Sequence, residues 1–157
     1  MKKTILTIIT IFFVFISKNL FSLEKGKWTF EKEDNWCYIG SLPINSDLPE
    51  TKKRGDNYIL VYKIIGSDEN IVNVEAGYKY NLEKDIVIKI DNTSFDFYST
   101  EDSPETAWTD DDIKVTYAMK KGLELVLSGV SSRGTSTNDT YTLKGFTAAF
   151  NQLNNDC

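Results

Sequence analysis

Apolar residues recur at every second position along much of this chain, which is the period of strands with one buried face. The alternation begins at Lys27-Trp28-Thr29-Phe30, and Trp36 to Gly40 forms a second short apolar piece. Residues Ser41 to Asp56 hold two prolines, Asn45, Asp47, Gly55 and a cluster of charges, so they read as a loop. Tyr58 to Ile65 is dense in β-branched and aromatic residues and long enough for a central strand. Ile71 to Tyr80 pairs with it across a turn at Gly66 to Asn70, and Ile86 to Ile90 pairs with Phe95 to Tyr98 across Asp91-Asn92.

The period then changes. Ser99 to Thr106 is polar and contains a proline, a loop by composition. Thr109 followed by Asp110, Asp111 and Asp112 has the form of a helix start, a hydroxyl cap and then carboxylates at the positive end of the helix dipole. That helix is expected to run through Lys120 and stop at Gly122. Leu123 to Val130 and Asp139 to Lys144 read as two further strands, and Gly145 to Phe150 opens a terminal helix. Closely spaced strands with only two short helices predict a mainly β fold, an antiparallel β-sandwich or a barrel-like domain.

The first 22 residues do not fit that pattern. Lys2 and Lys3 precede an apolar run of 14 residues, Thr4 to Ser17, and Leu20-Phe21-Ser22 ends on a small residue. These are the parts of a cleaved export signal. An apolar core of that length is short of the roughly 20 residues a spanning helix needs. Retention as an anchor is the alternative, because Leu20 to Leu23 extend the run. Cleavage leaves residues 23–157 as one β-rich domain in the periplasm or outside the cell, with no membrane span.

Composition sharpens the compartment and removes several chemistries. Setting Lys2, Lys3 and Lys18 aside leaves 15 basic against 23 acidic residues, a net charge of -8. Such a surface disfavours nucleic acid and anionic lipid as partners. Cys37 and Cys157 are the two cysteines, and an even count in an oxidising compartment predicts a disulfide between them. Unpaired thiols, or a terminal cysteine linked to a second chain, are the alternatives. The chain has no histidine. That removes the commonest general base, the Ser-His and Cys-His nucleophile pairs and most zinc and haem designs.

The remaining candidates are weaker. Asp110, Asp111 and Asp112, with Glu101, Asp102 and Glu105, make the densest acidic region. Consecutive residues at a helix start point apart, whereas a glycosidase opposes two carboxyls across a sugar. Oxygen ligands for calcium are present, without the spacing of the common calcium loop. Ser131, Ser132 and Ser136 lack any base but a lysine, and the glycines at 129 and 134 fit no phosphate-loop pattern. Arg54-Gly55-Asp56 spells a tripeptide that adhesion receptors read on exposed loops. Neither a metal nor a cofactor is expected.

Sixteen lysines against two arginines, Arg54 and Arg133, suggest that arginine is kept where a planar bidentate donor is needed. Arg133 is expected to bind a carboxylate within the fold, Asp139 first and Asp112 second, or else to anchor an acidic ligand. Trp108, Tyr78 and Tyr80 are candidates for a sugar-stacking surface, with core packing as the alternative.

Two stretches together resemble a known family. Gly26-Lys27-Trp28 followed by Cys37, with Tyr141-Thr142-Leu143-Lys144-Gly145-Phe146-Thr147-Ala148-Ala149 near the end, resembles the invasion-associated locus B family. Many members carry a further cysteine pair in mid-chain; this sequence does not, so it resembles a divergent branch. The resemblance implies an exported, envelope-associated β-rich domain without known enzymatic activity, which in some pathogens is linked to host-cell invasion. The function expected is therefore a non-catalytic binding or interaction module with an envelope or protein partner. A carbohydrate-binding or carbohydrate-hydrolysing module is the alternative.

Overall fold

The computed structural model describes residues 22–157. The expected leader falls on residues 1–22 and lies, but for Ser22, outside the described residues.

Among the described residues ten strands and two helices follow in chain order. The strands are β1 (Thr29–Lys32), β2 (Trp36–Ser41), β3 (Asn45–Ser46), β4 (Tyr58–Ile64) and β5 (Ile71–Glu75). Then come β6 (Ile86–Ile90), β7 (Thr93–Phe97), β8 (Thr106–Trp108), helix α1 (Asp112–Lys121), β9 (Glu124–Val130), β10 (Ser136–Thr142) and helix α2 (Phe146–Asp156). They form two five-stranded sheets, ordered β1-β2-β4-β5-β8 and β3-β10-β9-β6-β7. Every pairing between these strands is antiparallel. At one corner Tyr98 and Trp108 exchange backbone hydrogen bonds of 2.8 and 2.9 Å, which tie the sheets together without closing a barrel. The fold is a sandwich.

Alternation decides which side chains enter its interior. Sheet one sends in Cys37 and Ile39, Ile59 and Val61, Val72 and Val74, and Ala107. Sheet two answers with Ile86, Ile88 and Ile90 from β6, and with Leu125 and Leu127 from β9. Helix α2 lies against β1, β2 and β4, and α1 against β5 and α2. Their buried residues Val115, Met119, Phe146, Phe150 and Leu153 join the same core.

Where the structure departs from the sequence pattern, a local reason is visible. Asn45–Ser46 and Thr106–Trp108 become short strands because β10 and β5 offer free edges there. β10 starts at Ser136, three residues before the apolar signal, since β9 supplies a ladder partner for each residue back to that point. Thr109 does not cap α1 directly. Its hydroxyl accepts the Asp111 N–H at 3.1 Å, and Asp111 occupies the cap position. Gly122 does end the helix, yet its φ of −81° is open to any residue. What requires glycine is space, because a Cβ would lie 2.6 Å from Ile90 Cγ2 and 3.0 Å from Leu143 Cδ1.

The ends of the chain meet. Trp28 donates its indole N–H to the Thr142 carbonyl at 2.9 Å, and its ring meets Phe146 edge-on at 4.8 Å. Gly145 starts α2 from a φ of +88°, a conformation that favours glycine. Helix α2 then carries Cys157 to Cys37, and the two form a disulfide with Cα atoms 5.8 Å apart. The bridge spans 120 residues of sequence.

Loop-closure arguments make this bridge a large term. The variant Cys157→Ser is expected to lose about 2–5 kcal/mol of unfolding free energy, read from the urea midpoint with and without reductant. A midpoint indifferent to both would mean that the bridge adds no stability. Two tyrosines give a pH signature. Tyr38 is pushed up to about 12 by burial and then by Glu31 and Glu33, and Tyr58 to about 12 by burial and then by Glu75 and Asp56. The fold therefore prefers both phenols neutral. Their contribution is complete below an ordinary phenol pKa of about 10 and disappears as pH rises through about 12. Stability should hold to pH 10 and fall across that window, together with a rise in tyrosinate absorbance. Tyrosinate absorbance complete by pH 10.5 in folded protein would contradict this.

Candidate functional site

The chemistry collects at one end of the sandwich, around a carboxylate. β10 alternates so that Thr137, Asp139 and Tyr141 face inward, with Asp139 fully buried. An ionised carboxylate in such a place needs a paired cation and hydrogen bonds. The cation is Arg54. Its two terminal nitrogens reach the two carboxylate oxygens at 2.6 and 2.5 Å, a bidentate pair. Two further N–H groups go to the Ala76 carbonyl at 3.2 Å and the Ser46 hydroxyl at 3.0 Å. Burial would pull the guanidinium pKa down, but the hydrogen bonds and charge of Asp139 outweigh it and hold the group above its ordinary value.

Arg133 was the arginine expected to hold Asp139, and the structure places it elsewhere. It is exposed at the tip of the β9–β10 turn, where Gly134 takes a φ of +84° and donates its N–H to the Ser131 carbonyl at 2.8 Å. From that tip the side chain faces solvent, while Asp139 faces the interior three residues into β10. Asp112, the second expected partner, instead accepts the Val72 N–H at 2.7 Å, and its pKa is raised, chiefly by burial.

A glycine pair places Arg54. Gly55 donates its N–H to the Gly77 carbonyl at 2.8 Å, and Gly77 has a φ of +73°. A Cβ on Gly77 would collide with the Gly55 carbonyl oxygen, so the close approach requires glycine at position 77. A Cβ on Gly55 would meet Gly77 only at 3.5 Å, an ordinary contact. This contact seats the loop before β4 against the exit of β5 and turns Arg54 inward. The arginine of the Arg54-Gly55-Asp56 tripeptide is consequently turned inward, its side chain 10% exposed and committed to Asp139.

Around the pair lies a ring of tyrosines. Tyr78 shares a 2.8 Å hydrogen bond with the Thr137 hydroxyl and meets Tyr80 edge-on at 5.4 Å. Burial raises the pKa of Tyr78, Tyr80 and Tyr141. The hydroxyls of Tyr80 and Tyr141 make no hydrogen bond among the described residues. Tyr80, 2% exposed, cannot join Trp108 and Tyr78 in a sugar-stacking surface.

Above this interior opens a cleft of about 840 Å³. The loop before β4 contributes Lys52, Lys53 and Arg54, the segment after β5 contributes Tyr78 and Lys79, and the β9–β10 turn contributes Ser131, Ser132, Arg133 and Thr135. Among the described residues Glu105 is its only acidic wall residue. The walls are laced together. Ser132 N–H donates to the Lys79 carbonyl at 2.7 Å, and the Lys52 ammonium donates to the Thr135 hydroxyl at 2.7 Å. Ser131, raised above as a nucleophile candidate, is buried and uses its hydroxyl to accept the Thr135 N–H at 3.1 Å.

A second groove, about 770 Å³, borders α1 and holds Asp68, Glu69 and Asp110 to Asp112. The carboxylates of the helix start diverge there. Asp110 accepts from Tyr98 at 3.3 Å, Asp111 pairs with Lys114 at 2.6 Å, and Asp112 binds β5. Among the described residues no three acidic or cysteine side chains converge as a metal site would require.

These features define a small antiparallel sandwich, closed by one long-range disulfide and bridged inside by an arginine–carboxylate pair. The model of the Invasion associated locus B protein family matches residues 31–154, and the chain belongs to that family. Among solved structures, the crystal structure of invasion associated protein b from Bartonella henselae is similar with a TM-score of 0.52 and 15% sequence identity, over 80% of this chain and 95% of that one. At that identity the likeness is one of fold. No curated protein matches the chain in sequence.

The roles of the two arginines separate in one experiment. Arg54→Met leaves Asp139 buried and unpaired and should cost about 3–5 kcal/mol, whereas Arg133→Lys should stay within about 0.5 kcal/mol of the parent. Adding Asp139→Leu to Arg54→Met should recover most of the loss, since removing both charges removes the unpaired one. Equal melting temperatures for Arg54→Met and Arg133→Lys would contradict the assignment.

Proposed function

We propose that this chain is an exported, non-catalytic binding protein of the bacterial envelope, working as one domain over residues 23–157. The observation that carries the reading is the Cys37–Cys157 disulfide, a bond at home in an oxidising compartment. The leader-like start of the sequence agrees with it. Among the described residues no helix is long and apolar enough to cross a membrane.

The non-catalytic half rests on how the candidate groups are used. Ser131, Asp112 and Arg54, raised as candidates, spend their side chains on holding the fold together, through the Thr135 N–H, the Val72 N–H and the Asp139 carboxylate. The Bartonella henselae neighbour is described as invasion associated. For this chain the corresponding role is interaction at the envelope, with the loop-end cleft as the interacting surface.

The test is fractionation. Expressed with its first 22 residues in a bacterium, the protein should appear in the osmotic-shock fluid and resist thiol labelling until reduced. Retention in the cytoplasm with both thiols reactive would overturn export. Turnover of a glycoside by the purified protein would overturn the non-catalytic half.

A further inference from the structure

We propose that the cleft at the loop end binds a phosphorylated saccharide, with the phosphate held by Lys52, Lys53, Lys79 and Arg133 and the sugar by the neighbouring hydroxyls and Glu105. The proposal deepens the binding reading above and rests on it.

Charge placement is the first observation. The protein carries a net charge of -8 outside its leader-like segment, yet among the described residues five of its 15 basic residues line this one cleft with a single acid. Arg54 is neutralised by Asp139. The other four form no ion pair among the described residues, although acidic residues outnumber basic ones over the molecule. Unpaired cations gathered in a concave wall repel one another and focus a positive potential into it. An anion of more than one charge relieves that repulsion, and Arg133 adds the planar donor fork that suits phosphate oxygens.

Rigidity is the second. The lysines do not hang from independent loops. The Lys79 carbonyl is bonded to Ser132 beside Arg133, Lys52 is bonded to Thr135, and Gly55–Gly77 joins the remaining two segments. The segments that carry the cations are thus joined to one another before any ligand arrives, which lowers the ordering cost of binding.

Size and lining extend the ligand beyond a bare anion. A volume of about 840 Å³ suits a small organic molecule, far more than one phosphate. Thr51, Ser132 and Glu105 also line the cleft, a mixture of donors and acceptors matched to sugar hydroxyls. The acidic groove beside α1 makes the charge separation sharper, since an anion is repelled there and drawn here.

The experiment is a titration of isotope-labelled, disulfide-intact protein followed by amide resonances. Glucose 6-phosphate should shift Lys79, Ser132, Arg133 and Thr135 at low salt and less as salt rises, while glucose alone should not. The double variant Lys79→Gln with Arg133→Gln should keep the fold and weaken binding by roughly tenfold or more. Vesicles displaying a phosphorylated glucosamine disaccharide form a second arm. Binding to them but not to the free sugar phosphate assigns the membrane source, and the reverse assigns a soluble one. Inorganic phosphate binding as tightly as glucose 6-phosphate would overturn the sugar half. No shift with any of these probes, or unchanged affinity in the double variant, would overturn the site. Those failures would leave export and disulfide formation untouched, so they are distinguishable from failure of the envelope reading.

Discussion

A buried carboxylate governs one end of this molecule. Asp139 occupies an inward position on β10, where an apolar residue would be the ordinary choice, and its charge has to be met. The Arg54 guanidinium meets it with both terminal nitrogens and still has donors left. Those donors reach Ser46 on β3 and the Ala76 carbonyl at the exit of β5. One side chain therefore fastens both sheets to the loop between β3 and β4. The same loop supplies Lys52 and Lys53 to the cleft, so the geometry of the cleft is a consequence of the pair beneath it.

The disulfide acts at the other end of the central strands. On β4, the residue near the Arg54 loop is Tyr58, and the residue paired with Cys37 is Lys63, about 17 Å further along by strand rise. One end is held by a polar clasp and the other by a covalent one. The two work differently. The disulfide restricts the unfolded chain over a span of 120 residues. The ion pair contributes nothing to the unfolded chain and instead selects a single arrangement of loops, because any other packing would strand a charge in the interior.

Much of the framework was legible in the residues. The strands with strong alternation, Tyr58–Ile64, Ile86–Ile90 and Glu124–Val130, follow the sequence pattern closely, and so does the helix bounded by the aspartates and Gly122. Edge strands were not legible, because Asn45–Ser46 and Thr106–Trp108 carry no pattern of their own and exist only where a partner edge passes. The site was half legible. The rarity of arginine pointed to a bidentate pair with Asp139 as first partner, while the burial of that carboxylate emerged only from the structure. Choosing between Arg54 and Arg133 needed the contact of Gly55 with Gly77, which lie 22 residues apart and give no local signal. Sequence distance favoured Arg133; the hairpin tip excluded it.

The exclusion of Arg133 from the interior has a consequence for the surface. Had Arg133 bound Asp139, the β9–β10 turn would have presented hydroxyls alone. With Arg54 inside, Arg133 is left at the rim beside Ser132, opposite the lysines of the preceding loop. A protein with two arginines thus uses one to neutralise its interior and exposes the other where three lysines already stand. Folding alone gives no reason for that second placement, since gathered like charges lower stability. Binding an anion does.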